Sequence, residues 1–236
     1  MNSKMKNKVT LLLLSLFLFG FAAANVLLPD RDVSKTERRA LTQLPKITAA
    51  HIASGKFMRD FEQKDYKVFE MFSNKWALVT AGDINGFNSC TIGWGSLGNI
   101  WSRNGKRGAI VTVYVYPSRY TCDFLKENQY FTVSFFPESY RKALGYMGSH
   151  SGRDENKVEA AGLTPKAMGD SVTFEEAELT FYCRKLYQHP FEKAELDDDI
   201  KDYYRSSPSS FPLDENGEWQ THWEFVGEII EVEDKN

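Results

Sequence analysis

Hydrophobic and polar residues alternate in short segments along much of this chain, with the two-residue period of β-strands. The clearest segment is 109–116, where every second residue from 111 to 115 is valine and where Thr112, Tyr114 and Tyr116 occupy the opposite face. This pattern predicts a half-buried strand. The same reasoning predicts further strands over 77–82, 87–94, 130–136, 178–187 and 223–232.

The segments between these strands carry turn and helix signals. Asn85-Gly86 predicts a hairpin turn between the first two strands. Ser118 is a good N-cap for one helix, and Asp154 and Gly162 frame a second helix of about two turns. Four glycines indicate a long loop over 95–108. Amphipathic or short helices are also predicted over 51–72, 140–147 and 196–204.

These elements predict a mainly β protein. Six or so strands, most of them antiparallel and separated by short helices, are typical of a small β-barrel with helical insertions. The order does not alternate strand and helix as a parallel sheet requires.

The N-terminus carries the pattern of a signal peptide. Lys4, Lys6 and Lys8 precede an apolar run over 9–21, and three alanines end at Ala24. We expect cleavage after Ala24 and export, with the periplasm as the expected location. A retained anchor is the alternative, but the run is short for a bilayer span of about 20 residues, so no stable membrane span is expected after cleavage. The expected organisation is a signal peptide over 1–24, an arm and helix over 25–68, and one domain over 69–236.

Charge and cysteine content exclude several classes of function. The chain has 29 Lys+Arg against 32 Asp+Glu and no basic run, which argues against nucleic-acid binding. Cys90, Cys122 and Cys183 form no C-x-x-C pair and have no metal-site spacing, although one disulfide is possible in an exported protein. Motifs of metallohydrolases, acyl transferases and P-loop proteins are absent from the sequence.

Three polar segments carry a family resemblance. They are Asn88-Ser89-Cys90-Thr91-Ile92-Gly93-Trp94-Gly95, then Tyr116-Pro117-Ser118-Arg119-Tyr120-Thr121, and then the stretch from Gly148 to Lys157. In order and approximate spacing, the chain resembles the flavin reductase-like, flavoredoxin-type proteins, which bind FMN on a split β-barrel. The resemblance covers roughly Phe69 to Glu231.

The second segment is the expected phosphate site. A helix N-terminus attracts an anion, and this one is flanked by two hydroxyl groups and a guanidinium. Its candidate residues are Ser118, Arg119, Tyr120 and Thr121. When this segment is taken alone, an ordinary capped helix with a solvated arginine is the better explanation, since caps of this type are common.

The other two segments are assigned by the resemblance to the flavin ring and to a covering loop. Asn88, Ser89, Cys90 and Thr91 would line the ring, although a hairpin strand that shows polar residues to water is the alternative. Ser151, Arg153 and Lys157 would cover the cofactor and add positive charge. Arg153 and Lys157 would share one face of a helix, and a solvated surface helix is the alternative there.

The resemblance implies an FMN-binding redox protein, a flavin-dependent oxidoreductase, and the predicted signal peptide implies that it moves electrons outside the cytoplasm. It also implies a homodimer with FMN near the subunit interface. Electron donor and acceptor stay open. One alternative is a barrel that binds flavin without turnover or that serves only as an interaction module. Another is an NAD(P)H:flavin oxidoreductase, if the signal peptide is not used.

Overall fold

The structure is a computed structural model, and it describes residues 59–102 and 108–235. The predicted signal peptide, the arm as far as residue 58 and the first part of the predicted 51–72 helix lie outside the described residues. The described residues belong to one unit that begins at Arg59.

Strands dominate the described residues, as the alternating pattern predicts. Nine are present there: β1 Ala77–Asp83, β2 Gly86–Ile92, β3 Gly95–Asn99, β4 Ala109–Val115, β5 Tyr130–Phe135, β6 Pro165–Met168, β7 Ser171–Phe174, β8 Leu179–Pro190 and β9 Trp223–Asp234. All six predicted strands are confirmed, with bounds within a few residues, but β4 is buried on both faces and not half-buried as predicted.

Seven strands form one antiparallel sheet in the order β2-β1-β5-β8-β9-β4-β3, and β6 and β7 form a separate hairpin. The β1–β2 register runs from Ala77 opposite Ile92 to Asp83 opposite Gly86, which confirms the hairpin. One apolar cluster takes side chains from strands far apart in this order, including Cys90 on β2, Phe181 on β8 and Val113 on β4. The sheet therefore curves around its core as a barrel does.

Short helices fill the connections between strands. They are α1 Val68–Glu70, which continues into a π-helical turn Met71–Lys75, then α2 Tyr120–Glu127, α3 Arg141–Ser149, α4 Lys157–Ala160 and α5 Asp198–Arg205. Single 3-10 turns lie at Asp60–Gln63, Glu138–Tyr140 and Lys193–Glu195. Helix α3 and the β6–β7 hairpin pack on the outer face of the sheet around Leu78, Leu144 and Phe174.

The predicted loop over 95–108 is wrong in its first half, where β3 pairs with β4 from Gly95 opposite Val113 to Asn99 opposite Ala109. A Cβ atom on Gly95 would lie 2.3 Å from the Phe72 ring. This glycine permits close packing of a strand on an aromatic ring, and it does not signal a loop.

The predicted 51–72 helix is also wrong over its described part. The chain passes from a 3-10 turn through Lys67, with φ +45°, before α1 begins. Phe61 and Phe72 pack against the core, but Phe69 is 94% exposed. The phenylalanine spacing therefore reflects two separate contacts with the barrel.

Two predicted helix caps are wrong and one is confirmed. Arg119, not Ser118, is the N-cap of α2, and it makes no side-chain cap bond. Asn156, not Asp154, caps α4, which has a single turn, and its side chain accepts a hydrogen bond from the Glu159 amide. Gly162 adopts φ +70° just after this helix, as its predicted C-terminal position requires.

Candidate functional site

The three polar segments converge on one small cavity of about 80 Å³. It lies where β2, the start of α2 and the loop between α3 and α4 meet. Its lining includes Cys90, Ser118, Arg119, Tyr120, Met147, Gly148, Ser149, His150, Ser151 and Lys157. Six of the eleven predicted site residues thus meet here, from all three segments.

Lys157 is the least expected member of this cavity. It is only 4% exposed, and its Nζ donates to the carbonyl oxygens of Met147 at 3.0 Å and His150 at 2.9 Å. An ammonium has three N–H donors, so two are used and one remains. Burial lowers the pKa of Lys157, with the charge of Arg119 adding to this and Cys90 and Glu155 opposing it. No carboxylate of the described residues forms an ion pair with this ammonium.

Arg119 places a second cation at the same cavity. Its guanidinium donates to the carbonyl oxygen of Gly148 at 2.9 Å, and it too lacks a carboxylate partner among the described residues. The first backbone N–H groups of a helix have no acceptor within the helix, and those of α2 begin here. Two cations and a helix N-terminus therefore surround a space without a negative charge of its own.

Arg153 lies next to the cavity without lining it. Its guanidinium bonds Asp123 at 2.5 Å and the carbonyl oxygen of Ser118 at 3.2 Å, and it stacks over the Tyr120 ring. The charge of Arg153 is thus compensated, and its role is to tie the loop to α2. The predicted shared helix face with Lys157 is wrong, because Arg153 lies in the turn before α4.

The predicted ring-lining residues of β2 do not form one surface. Asn88 and Cys90 face α2, where the Asn88 Oδ1 atom accepts a hydrogen bond from Thr121 at 2.7 Å. Ser89 and Thr91 face the other side of the sheet, since successive strand residues alternate. Their hydroxyl groups bond Thr80 and the Leu144 carbonyl oxygen. These side chains support the fold around the cavity, and Cys90 alone of the four lines it.

All three cysteines are free and buried, so the possible disulfide is not formed. Burial raises the pKa of the Cys90 thiol, and the neighbouring Thr121 hydroxyl group and the charges of Lys157 and Arg119 offset this in part. Burial alone raises the pKa of Cys183. The position of Cys183 in the core confirms its interpretation as a small packed hydrophobic residue.

An aromatic cluster beyond Arg119 is missed by the sequence analysis. His222 is buried beside Tyr204, whose Oη lies 2.7 Å from the His222 Nδ1 atom. Trp94 lies over the imidazole at 4.5 Å between ring centroids and is 42% exposed. Burial, with a smaller effect of Arg119, lowers the pKa of His222 to about 4. In the sequence, His222 is a lone histidine before the last strand, which is only weak evidence for such an arrangement.

Residues 59–102 and 108–235 contain no group of three or more His, Cys, Asp or Glu side chains that could bind a metal ion. None of the described helices has both the length and the apolar composition needed to cross a membrane.

We compared the sequence with models of protein families to test the resemblance carried by the three segments. The model of the flavin reductase-like domain matches residues 69–236, well over half of the chain. The chain belongs to the flavin reductase-like domain family. Membership in this family supports a flavin cofactor. The search of curated proteins found no match to the chain.

The chain is similar to several solved structures, and the first of them supports the shared fold. The FMN-binding protein from Thermus thermophilus with bound 1-cyclohex-2-enone has 19% identity and a TM-score of 0.50, over 75% of this chain and 81% of that chain. Flavoredoxin from Methanosarcina acetivorans has 22% identity and a TM-score of 0.47, over 68% of each chain. Nitrilotriacetate monooxygenase component B from Bacillus cereus has 16% identity and a TM-score of 0.48, over 75% and 80%.

The cavity suits one part of a flavin mononucleotide. A space of about 80 Å³ lined by hydroxyl groups and two uncompensated cations fits a phosphate group, but it is too small for a flavin ring. The ring would therefore lie outside this cavity.

Proposed function

We propose that this protein is an FMN-binding redox protein and that the cavity between Lys157 and Arg119 holds the FMN phosphate. The observation that carries the proposal is the buried ammonium of Lys157. A buried charge without a counter-charge is costly. A dianionic ligand that enters the cavity would offset this cost.

The same observation favours FMN over riboflavin, which has no phosphate. The remaining N–H of Lys157 and the guanidinium of Arg119 could each donate a charge-assisted hydrogen bond to phosphate oxygens. Hydroxyl groups of Ser118 and Ser151 could supply neutral ones, whereas that of Ser149 already donates to the carbonyl oxygen of Gly145. The residues of this chain thus bind and orient the cofactor through its phosphate.

When bound, FMN supplies the capacity to accept and donate electrons, and the protein tunes and shields it. We place this activity outside the cytoplasm, on the basis of the predicted signal peptide that ends at Ala24. Electrons would then come from a membrane or protein donor, because nicotinamide dinucleotides are intracellular. A homodimer with the ring near the subunit interface is part of the proposal, since one cavity of this size leaves the ring outside it.

The test is the preference for FMN over riboflavin, measured as the ratio of their dissociation constants by quenching of flavin fluorescence. Lys157→Met and Arg119→Ala should each reduce the preference by roughly 10- to 150-fold, the equivalent of one charge-assisted hydrogen bond. The wild-type protein should bind FMN with the larger affinity.

Arg153→Ala is the matched control, because it removes a neighbouring guanidinium that is already paired with Asp123. Its preference should stay close to that of the wild type. If Arg153→Ala abolishes the preference while Arg119→Ala and Lys157→Met leave it intact, the loop arginine holds the phosphate and the assignment is wrong.

A flavin-binding module without turnover is the second candidate, because the cavity accounts for binding and not for electron transfer. Reduction of the bound flavin by a donor separates the two. NAD(P)H:flavin oxidoreductase activity becomes the leading form of the proposal if the protein isolated from cells retains Met1 instead of beginning at Asn25.

A further inference from the structure

We infer that Tyr204 is a positioning residue that fixes the tautomer of His222, so that the Nε2–H of His222 is presented as a hydrogen-bond donor to the flavin ring. This inference rests on the proposed function, because it concerns the part of FMN that the phosphate cavity cannot hold.

The tautomer follows from the hydrogen bonds of the Tyr204 hydroxyl group. Its oxygen lies 3.4 Å from the backbone nitrogen of His222, which can only donate. The same oxygen lies 2.7 Å from His222 Nδ1. The hydroxyl has one proton of its own and no other acceptor among the described residues, so it donates that proton to Nδ1. In a neutral imidazole the remaining proton is then on Nε2.

The Nε2 atom of His222 remains available to a ligand. It makes no hydrogen bond within the described residues. The fully buried polar atoms without a partner there are Tyr66 Oη and Gln188 Oε1, so the His222 Nε2 atom is not cut off from solvent. The exposed Trp94 ring lies over the imidazole. A donor at the edge of an exposed aromatic surface suits a flat ring with carbonyl or ring-nitrogen acceptors.

Arg119 connects this surface to the phosphate cavity. It lines the cavity directly, and its charge acts on both Lys157 and His222. A ligand with a phosphate at one end and a heteroaromatic ring at the other could therefore engage both sides of Arg119. The neutral state of His222 supports this role, because a neutral imidazole with a fixed tautomer offers one donor without a titrating charge.

Tyr204 itself cannot touch the ligand, since it is buried under Phe211 and Trp219. Tyr204→Phe removes only its hydroxyl group and keeps the ring that packs there. The readout is the ¹⁵N chemical shifts of the His222 ring nitrogens in the full-length protein without flavin. The wild type should show Nε2 protonated and Nδ1 unprotonated. Tyr204→Phe should shift this balance toward the other tautomer.

Flavin binding supplies the second readout. Tyr204→Phe should weaken FMN and riboflavin by the same factor, about 3- to 10-fold, so that their ratio does not change. His222→Leu should weaken both ligands at least as much. His222→Gln, whose amide can place a donor near the Nε2 position, should recover part of the loss.

The outcomes separate this inference from the phosphate assignment. A Lys157→Met effect on the FMN-to-riboflavin ratio, with no Tyr204→Phe effect on either affinity, would overturn the inference and leave the proposed function standing. Wild-type ¹⁵N shifts that place the proton on Nδ1 would overturn it as well. A lower denaturation midpoint would reveal a fold defect in Tyr204→Phe. In that case the inference is tested by the wild-type ¹⁵N shifts and by whether His222→Gln binds flavin more tightly than His222→Leu.

Discussion

At the scale of single residues, burial separates the side chains that can bind a ligand from those that support the fold. Lys157 and Arg153 are four residues apart and carry the same charge, yet Arg153 is paired with Asp123 whereas Lys157 is buried without an acidic partner among the described residues. Sequence could place both residues near the cofactor. It could not show which charge is compensated, because that depends on Asp123 in α2, which lies 30 residues away along the chain.

The site residues of β2 show a second limit at this scale. Small polar residues over 88–91 indicated a ligand surface, and the alternation of strand side chains divides them between two faces. Ser89 and Thr91 are occupied by hydrogen bonds to the fold, and Asn88 holds Thr121. Alternation can be read from the sequence, but which face meets the cavity depends on contacts with distant segments.

At the scale of elements, the strands were predictable because their hydrophobic period is local. The β3 strand was missed because its glycines resemble a loop, and the β6–β7 hairpin was missed because each of its strands has only four residues. The pairing order β2-β1-β5-β8-β9-β4-β3 could not be derived from local patterns. It depends on which strands share the core.

One glycine of β9 tests the packing of these elements. A Cβ atom on Gly227 would lie 2.5 Å from the Phe131 ring and 2.8 Å from the Cys183 Cβ atom, inside the core. We expect Gly227→Ala to lower the free energy of unfolding by about 1–3 kcal/mol, the usual cost of overpacking. Urea denaturation measures this change.

Gly145→Ala is the matched control, because Gly145 lies within α3 and its added Cβ atom would meet nothing within 4 Å. Helix propensity predicts a free energy of unfolding that is unchanged or higher by up to about 1 kcal/mol. Equal effects of the two substitutions would contradict the described packing of β9 on β5 and β8.

At the scale of the whole molecule, the fold buries a histidine that would titrate near pH 6.5 in water. The pKa of His222 falls from its ordinary 6.5 to about 4. Below about pH 6.5 the unfolded chain therefore binds a proton that the folded protein does not bind. Family membership accounts for the barrel, whereas this aromatic cluster joins Trp94, Tyr204 and His222 from distant parts of the chain.

Stability should consequently depend on pH through His222. As pH falls from about 6.5 to about 4, this residue should lower the free energy of unfolding by up to about 3 kcal/mol. Above about pH 6.5 it should not make the free energy of unfolding depend on pH. His222→Gln lacks the titrating group, so the difference between the wild type and this variant isolates the effect. Parallel curves for the two proteins across the window would show that His222 is not held neutral by burial.

The most direct test of the central claim is the ³¹P NMR signal of FMN bound to the full-length protein, followed across pH. The second pKa of a free phosphomonoester lies near 6, and the cations of Lys157 and Arg119 should hold the bound phosphate as a dianion well below that value. The account predicts that the bound signal stays constant from about pH 8 to about pH 5.5, while free FMN titrates. A bound signal that titrates as free FMN does would contradict the assignment of the phosphate to this cavity.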